Sequence, residues 1–138
     1  MNEKVRITSS IVRVRSHFLV RLNDRKWAIA KHAVTAGETN DRQTIIVHLY
    51  AANCELKQIA ESASLLGFGK IGEHAGRVLR LIELFLEKGL GTVYQNKLLT
   101  DVILEINSFV VACEKLTTQP TVLEYIEIPA HAFIDDHA

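Results

Sequence analysis

The sequence predicts an all-α fold, an antiparallel up-down four-helix bundle followed by a non-helical C-terminal tail, and three observations carry that expectation. Apolar residues recur at the 3.6-residue period of a helix through most of the chain. Glycine-containing breaks divide that periodicity into four stretches. The 138 residues, 48% hydrophobic with only two prolines, suit one domain with a sizeable core.

The first stripe is Ile11, Val14, Phe18, Leu22, Ile29 and Ala33, with Trp27 and Ala30 beside it. Gly37 to Asp41, reading GETND, supplies a glycine stop and then polar capping residues. A second stripe runs Ile45, Leu49, Ala52, Leu56, Ile59, Ala63, Leu66 and halts at Gly67-Phe68-Gly69. The third runs Ile71, Ala75, Val78, Ile82, Phe85 and is broken at Gly89 and Gly91. The fourth reads Leu99, Val102, Ile106, Phe109, Cys113, Leu116. Helices of about 18 to 26 residues, at ~1.5 Å per residue, give rods of roughly 27 to 39 Å. Four such rods on short loops specify an antiparallel bundle over 1–117.

Beyond Thr117 the pattern changes. Pro120 and Pro129 forbid a continuing helix and VLEYIEI reads as extended. Residues 118–138 are therefore a tail whose Leu123, Tyr125, Ile126, Ile128 and Phe133 favour docking on the bundle or on a second copy.

Charge narrows the function classes. Sixteen basic residues balance sixteen acidic ones, so the positive field of a nucleic-acid binder is absent overall. The zero hides a split: residues 1–32 hold eight Lys and Arg against Glu3 and Asp24, whereas 118–138 hold four acids and no base. Cys54 and Cys113 stand singly, without zinc or disulfide spacing. The charged MNEKVRITSS start and the lack of any long apolar run predict a cytoplasmic protein with no membrane partner.

The stretch Glu55 to Leu86, ELKQIAESASLLGFGKIGEHAGRVLRLIELFL, resembles the central helix pair of histidine-containing phosphotransfer (HPt) domains, including that of chemotaxis kinases. That family carries His-x-x-Lys-Gly-Ser-Ala, a short spacer and a Gly-Phe turn. Here Ser62 and Ala63 match the Ser-Ala pair, and Gly67 and Phe68 match the turn at the family spacing. A preceding helix of the SHFLVRLNDRKWAIAKHAV type, and a Lys88-Gly89 loop before a fourth helix, extend the likeness to about residues 11–117.

The departures decide what the resemblance implies. Ten residues before Gly67, where the family places its phosphoaccepting histidine, stands Lys57; the motif Lys is Ala60 and the motif Gly is Glu61. An imidazole can accept a phosphoryl group near neutral pH because it is nucleophilic while largely uncharged. A surface ammonium has no free lone pair. Ala60 offers no charge to offset a phosphoryl group, and Glu61 adds bulk and negative charge where a receiver would approach. The expectation is a non-catalytic, HPt-like binding module of a two-component or phosphorelay system, a pseudo-phosphotransferase whose partner is a response-regulator receiver domain or a histidine kinase.

With Leu56, Ile59, Ala63 and Leu66 inward, Asn53, Lys57, Glu61 and Ser64 form the opposite polar stripe. These four, on the second helix, are the candidate partner-binding residues, with docking expected on the exposed faces of the first and second helices near Lys57, Glu61 and Ser64. Two rivals stay open. One is an active phosphotransfer protein using a displaced histidine, for which His48 and His74 are the candidates, each expected to flank the core. The other is an oligomerisation scaffold, with a homodimer as its product. No cofactor is expected, and no metal site: His131, Asp135, Asp136 and His137 have ligand chemistry but no framework. Gly72 and Gly76, four apart in the third helix, each cost about 1 kcal/mol relative to Ala and predict close helix packing there.

Overall fold

The computed structural model describes the backbone of residues 3–88 and 93–118, and side chains within 10–88 and 96–118. Four helices follow one another: α1 Glu3–Gly37, α2 Arg42–Leu65, α3 Gly69–Lys88 and α4 Val93–Thr118. There is no strand among the described residues. Each helix packs against two others in a closed cycle, α1 on α2, α2 on α3, α3 on α4 and α4 on α1. This is the up-down four-helix bundle expected from the periodicity and short connections. The tail expected over 118–138, with its apolar residues and its His131, Asp135, Asp136 and His137, lies outside the described residues except for Thr118, which closes α4; so does the Gly89–Gly91 break.

Local chemistry sets the joints. Asp41 caps α2 from an extended backbone, its carboxylate accepting from the Thr44 amide at 3.0 Å and from the Thr44 hydroxyl. Those two bonds favour the charged form and hold the Asp41 carboxyl below its usual range. At the other end of α2, Gly67 takes φ +87°, the left-handed conformation that glycine adopts without penalty. The Phe68 amide then reaches back to the Ala63 carbonyl at 2.9 Å, the six-to-one bond of a Schellman stop. Phe68 is buried beneath that stop and stacks on Phe18 of α1, with ring centroids 5.0 Å apart and 18° between planes.

The core runs the length of the bundle. Leu22, Ile29, Leu49, Leu56, Ile59, Val78, Ile82, Phe85, Val102, Ile106, Phe109 and Cys113 are all fully buried. Each large apolar side chain among them contributes roughly 1.5 to 3 kcal/mol by leaving water. The stripes expected for α2 and α3 match this core throughout, except that Leu66 is only partly buried.

α1 departs from expectation in two ways. It spans 35 residues, about 52 Å at ~1.5 Å per residue, well beyond the 18 to 26 foreseen. No Gly or Pro lies between Glu3 and Ala36 to stop it. Arg15 lies 4.8 Å from the Phe68 ring centroid, which fixes the level of the α2–α3 turn on α1. Residues 3–14 therefore run past that turn. Its buried face also differs: Val14 and Trp27 are exposed, and the inward positions are taken by Arg15, Phe18, Leu19, Leu22, Lys26, Ile29, Ala33 and Ala36. Lys26 is 2% exposed. Long basic side chains can lay their methylene stems against a core and keep the charge at its edge, so a periodicity search for apolar residues passes over them. In α4, likewise, Leu98 is the buried residue and Leu99 only partly so.

Candidate functional site

The polar stripe of α2 comes from the same periodicity that buries its other face. Lys57, Glu61 and Ser64 are exposed. Asn53 is half-buried, and its Oδ1 is enclosed without a hydrogen-bond partner among the described residues, so it stands at the margin of the stripe. At Ser64 the stripe borders α3. The reason is the close approach at Gly72: a Cβ built there would lie 3.1 Å from Ser64 Oγ and 3.5 Å from both the Ala60 carbonyl oxygen and Ala63 Cβ. Ser64 Oγ is itself tethered, donating to the Ala60 carbonyl at 3.1 Å.

An open groove results between the two helices. Ala60 and Ser64 of α2 line one wall, and Gly72, Glu73, Gly76, Arg77 and Arg80 of α3 the other. Lys57, one turn before Glu61, is exposed on α2. The close packing expected at both glycines holds at Gly72 alone. A Cβ at Gly76 would meet only Arg80 Nη1, at 3.6 Å, so Gly76 widens the groove without bringing helices together. Arg77 is exposed and reaches Glu105 of α4 at 3.8 Å, while Arg80 is exposed on the next turn.

The groove lining thus carries Arg77 and Arg80 against Glu73, with Lys57 and Glu61 exposed on α2 outside that lining. Its small-residue floor leaves room for an incoming side chain or helix edge. Arg77 and Arg80 were not among the residues singled out from sequence. The signal that pointed to them is the Gly72–Gly76 spacing, which places a shallow floor beside whatever polar residues follow on α3.

The two candidate histidines sit differently from one another. His74 is buried in α3, edge-on to Phe109 with centroids 5.5 Å apart, and its Nε2 lies 3.1 Å from Glu105 Oε1. That nitrogen is enclosed. His74 is therefore buried beside the core at Phe109, and it also lines a surface groove with Ser108 and Val111 of α4. His48 is half-buried on α2, on the side facing α1, and its Nδ1 lies 2.9 Å from Nδ1 of His32. The ring centroids are 5.1 Å apart at 44°. Burial, and then the neighbouring His48 charge, lower the pKa of His32 below the ordinary imidazole value; Lys31 adds to this and Glu55 opposes it. The His32–His48 contact joins residues 16 apart on different helices, and nothing in their local spacing announces it.

The α1–α2 seam is tied by Arg25, which donates to Gln58 Oε1 at 2.6 Å and lies 3.5 Å from Glu55. Cys54 is exposed, and Cys113 is buried in α4 with its thiol pKa pushed up to about 12 by desolvation. Among the described residues no group of three or more His, Cys, Asp or Glu side chains could hold a metal ion. No helix among them is long and apolar enough to cross a membrane.

No protein-family model matches the chain, and no curated protein or solved structure is significantly similar to it.

Proposed function

We propose that the protein is an HPt-like binding module of two-component signalling, in which the α2–α3 groove docks a response-regulator receiver domain or a histidine kinase without passing on a phosphoryl group. The observation that carries this reading is the place of Lys57. It is exposed on the second helix of a four-helix bundle, ten residues before a Gly-Phe turn, where HPt domains carry the phosphoaccepting histidine. Arg80, exposed in the neighbouring α2–α3 groove, adds positive charge, while Arg77 of the same groove shares its charge with Glu105 of α4. A receiver's acidic phosphorylation pocket is complementary to that charge, and complementary rims act chiefly by raising the association rate. The cytoplasm, where receivers and kinase catalytic domains reside, is the location this reading requires.

Two features oppose phosphotransfer from this position: Lys57 replaces the nucleophile, and Glu61 replaces the glycine that would admit the receiver. The experiment is incubation with radiolabelled, kinase-phosphorylated receiver domains, read for both binding and transfer. Binding without label on this chain is the expected result, with Lys57→Glu weakening the binding. Label that survives Lys57→Ala but disappears with His48→Gln or His74→Gln overturns the reading in favour of a displaced phosphoacceptor.

A further inference from the structure

We infer that the outward face of α1 is a self-association surface whose occupant is α1 of a second copy, running antiparallel about a two-fold axis at Trp27. Val20, Trp27 and Val34 are 61%, 59% and 53% exposed. They are spaced seven and seven, and seven residues return a helix to within ~20° of the same face, so the three form one line. Trp27, the sole tryptophan of the chain, stands at its centre. Lys26 from the same helix lies with its ammonium 5.4 Å from the indole centroid, a cation–π contact on the ring.

The symmetry of the line favours a second copy over an unrelated partner. An isologous interface needs a patch complementary to itself under a two-fold rotation. An axis at Trp27 sets Val20 against Val34 of the other copy and the reverse, leaving no apolar residue of the line without a counterpart. The charges obey the same rotation. Asp24 and Lys31 are both exposed, three residues before and four after Trp27, which places them along one flank of the line. Rotation about Trp27 brings Asp24 beside Lys31 of the other copy and forms the pair twice.

The neighbouring helix extends the patch. Gly37 of α1 meets Ile103 of α4, where a Cβ would lie 3.0 Å from Ile103 Cδ1, and this sets the antiparallel register of the two helices. In that register Leu104 and Val111, exposed and also seven apart, come within about two residues, ~3 Å, of the levels of Val34 and Trp27. Aromatic anchors ringed by polar residues dominate the energetics of protein interfaces, so Trp27 is the residue on which association depends. This surface is separate from the α2–α3 groove and uses none of residues 118–138.

The test is sedimentation equilibrium of the full chain from about 1 to 300 μM, with tryptophan emission followed in parallel. The expected result is a concentration-dependent rise from the 15.5 kDa of one chain to twice that mass, with a blue shift as the indole leaves water. Trp27→Ala, and separately Lys31→Glu, weaken association at least about tenfold while far-UV circular dichroism stays helical. The charge swap Asp24→Lys with Lys31→Glu restores it, because the rotated pair is again opposite in sign. A monomer throughout the range overturns the inference. So does a dimer indifferent to Trp27→Ala, which would place the contact on another surface such as the tail.

Discussion

Of the four glycines in residues 67–76, Gly67, Gly72 and Gly76 experience three different environments, and alanine at each predicts a different effect. At Gly67 the backbone φ of +87° puts a Cβ against the adjacent carbonyl, a conformation costing L-residues about 1 to 2 kcal/mol. Space is not the obstacle, since the nearest outside atom is Arg15 Nη2 at 3.7 Å. At Gly76, mid-helix, a Cβ meets only the flexible end of Arg80 at 3.6 Å, so Gly67's penalty is absent and helix propensity alone acts. Alanine there stabilises by about 0.8 to 1 kcal/mol. At Gly72 the same propensity gain meets a Cβ 3.1 Å from Ser64 Oγ, which must shift by a few tenths of an ångström. Gly72→Ala therefore falls between the other two, and Gly72→Val, with more bulk against the Ala60 carbonyl and Ala63, destabilises clearly. For a chain of this size 1 kcal/mol moves Tm by roughly 3 to 5 °C. Gly76→Ala is expected to raise Tm by about that amount and Gly67→Ala to lower it by one to two times as much, measured by calorimetry and checked by urea unfolding at constant m. A neutral Gly67→Ala, or a destabilising Gly76→Ala, would refute the Schellman turn and the open groove floor.

Other consequences are equally direct. The folded-state pKa of His32 is lowered, so the unfolded chain binds protons more readily; the corresponding stability is present above about pH 6.5 and is lost as pH falls through the folded value. Urea midpoints measured from pH 8 to 5 should fall in that window, and His48→Gln should flatten the decline by removing the second charge. Cys54 is exposed whereas Cys113 is buried with a thiol pKa near 12, so a thiol reagent at pH 8 should label one equivalent in the native protein and the second only on unfolding. Rapid labelling of both would contradict the packing of α4. Phe109→Ala removes a fully buried ring and the edge that His74 rests on, and should cost about 3 to 5 kcal/mol in chemical denaturation.

The sequence made the bundle legible because α2 and α3 bury apolar residues at plain helical spacing and glycines follow them in the sequence. Ile45 to Ala63 and Ile71 to Phe85 needed nothing further. α1 was harder to read because its inward face includes Arg15 and Lys26 while Trp27, Val20 and Val34 face water. Polarity and burial are uncoupled there, and a long basic stem can occupy a core position that composition assigns to the surface. The polar stripe Lys57–Glu61–Ser64 was visible from helical geometry, but which neighbour it bordered was not. That depended on Gly72 drawing α3 toward Ala60 and Ser64, a contact between helices rather than within one. The burial of His74 and the pairing of His32 with His48 have the same origin. Each is fixed by the register of two helices, which single-helix periodicity does not encode.

The measurement that bears most directly on the proposed role is calorimetric titration of this chain with purified receiver domains and histidine kinases of its own cell, together with a Lys57→His, Ala60→Lys, Glu61→Gly variant. The account predicts saturable binding of at least one receiver or kinase by the native chain, loss of that binding with Lys57→Glu plus Arg77→Glu at unchanged helicity, and phosphoryl label only on the triple variant. Absence of binding to every receiver and kinase, or binding untouched by the two charge reversals, would contradict it.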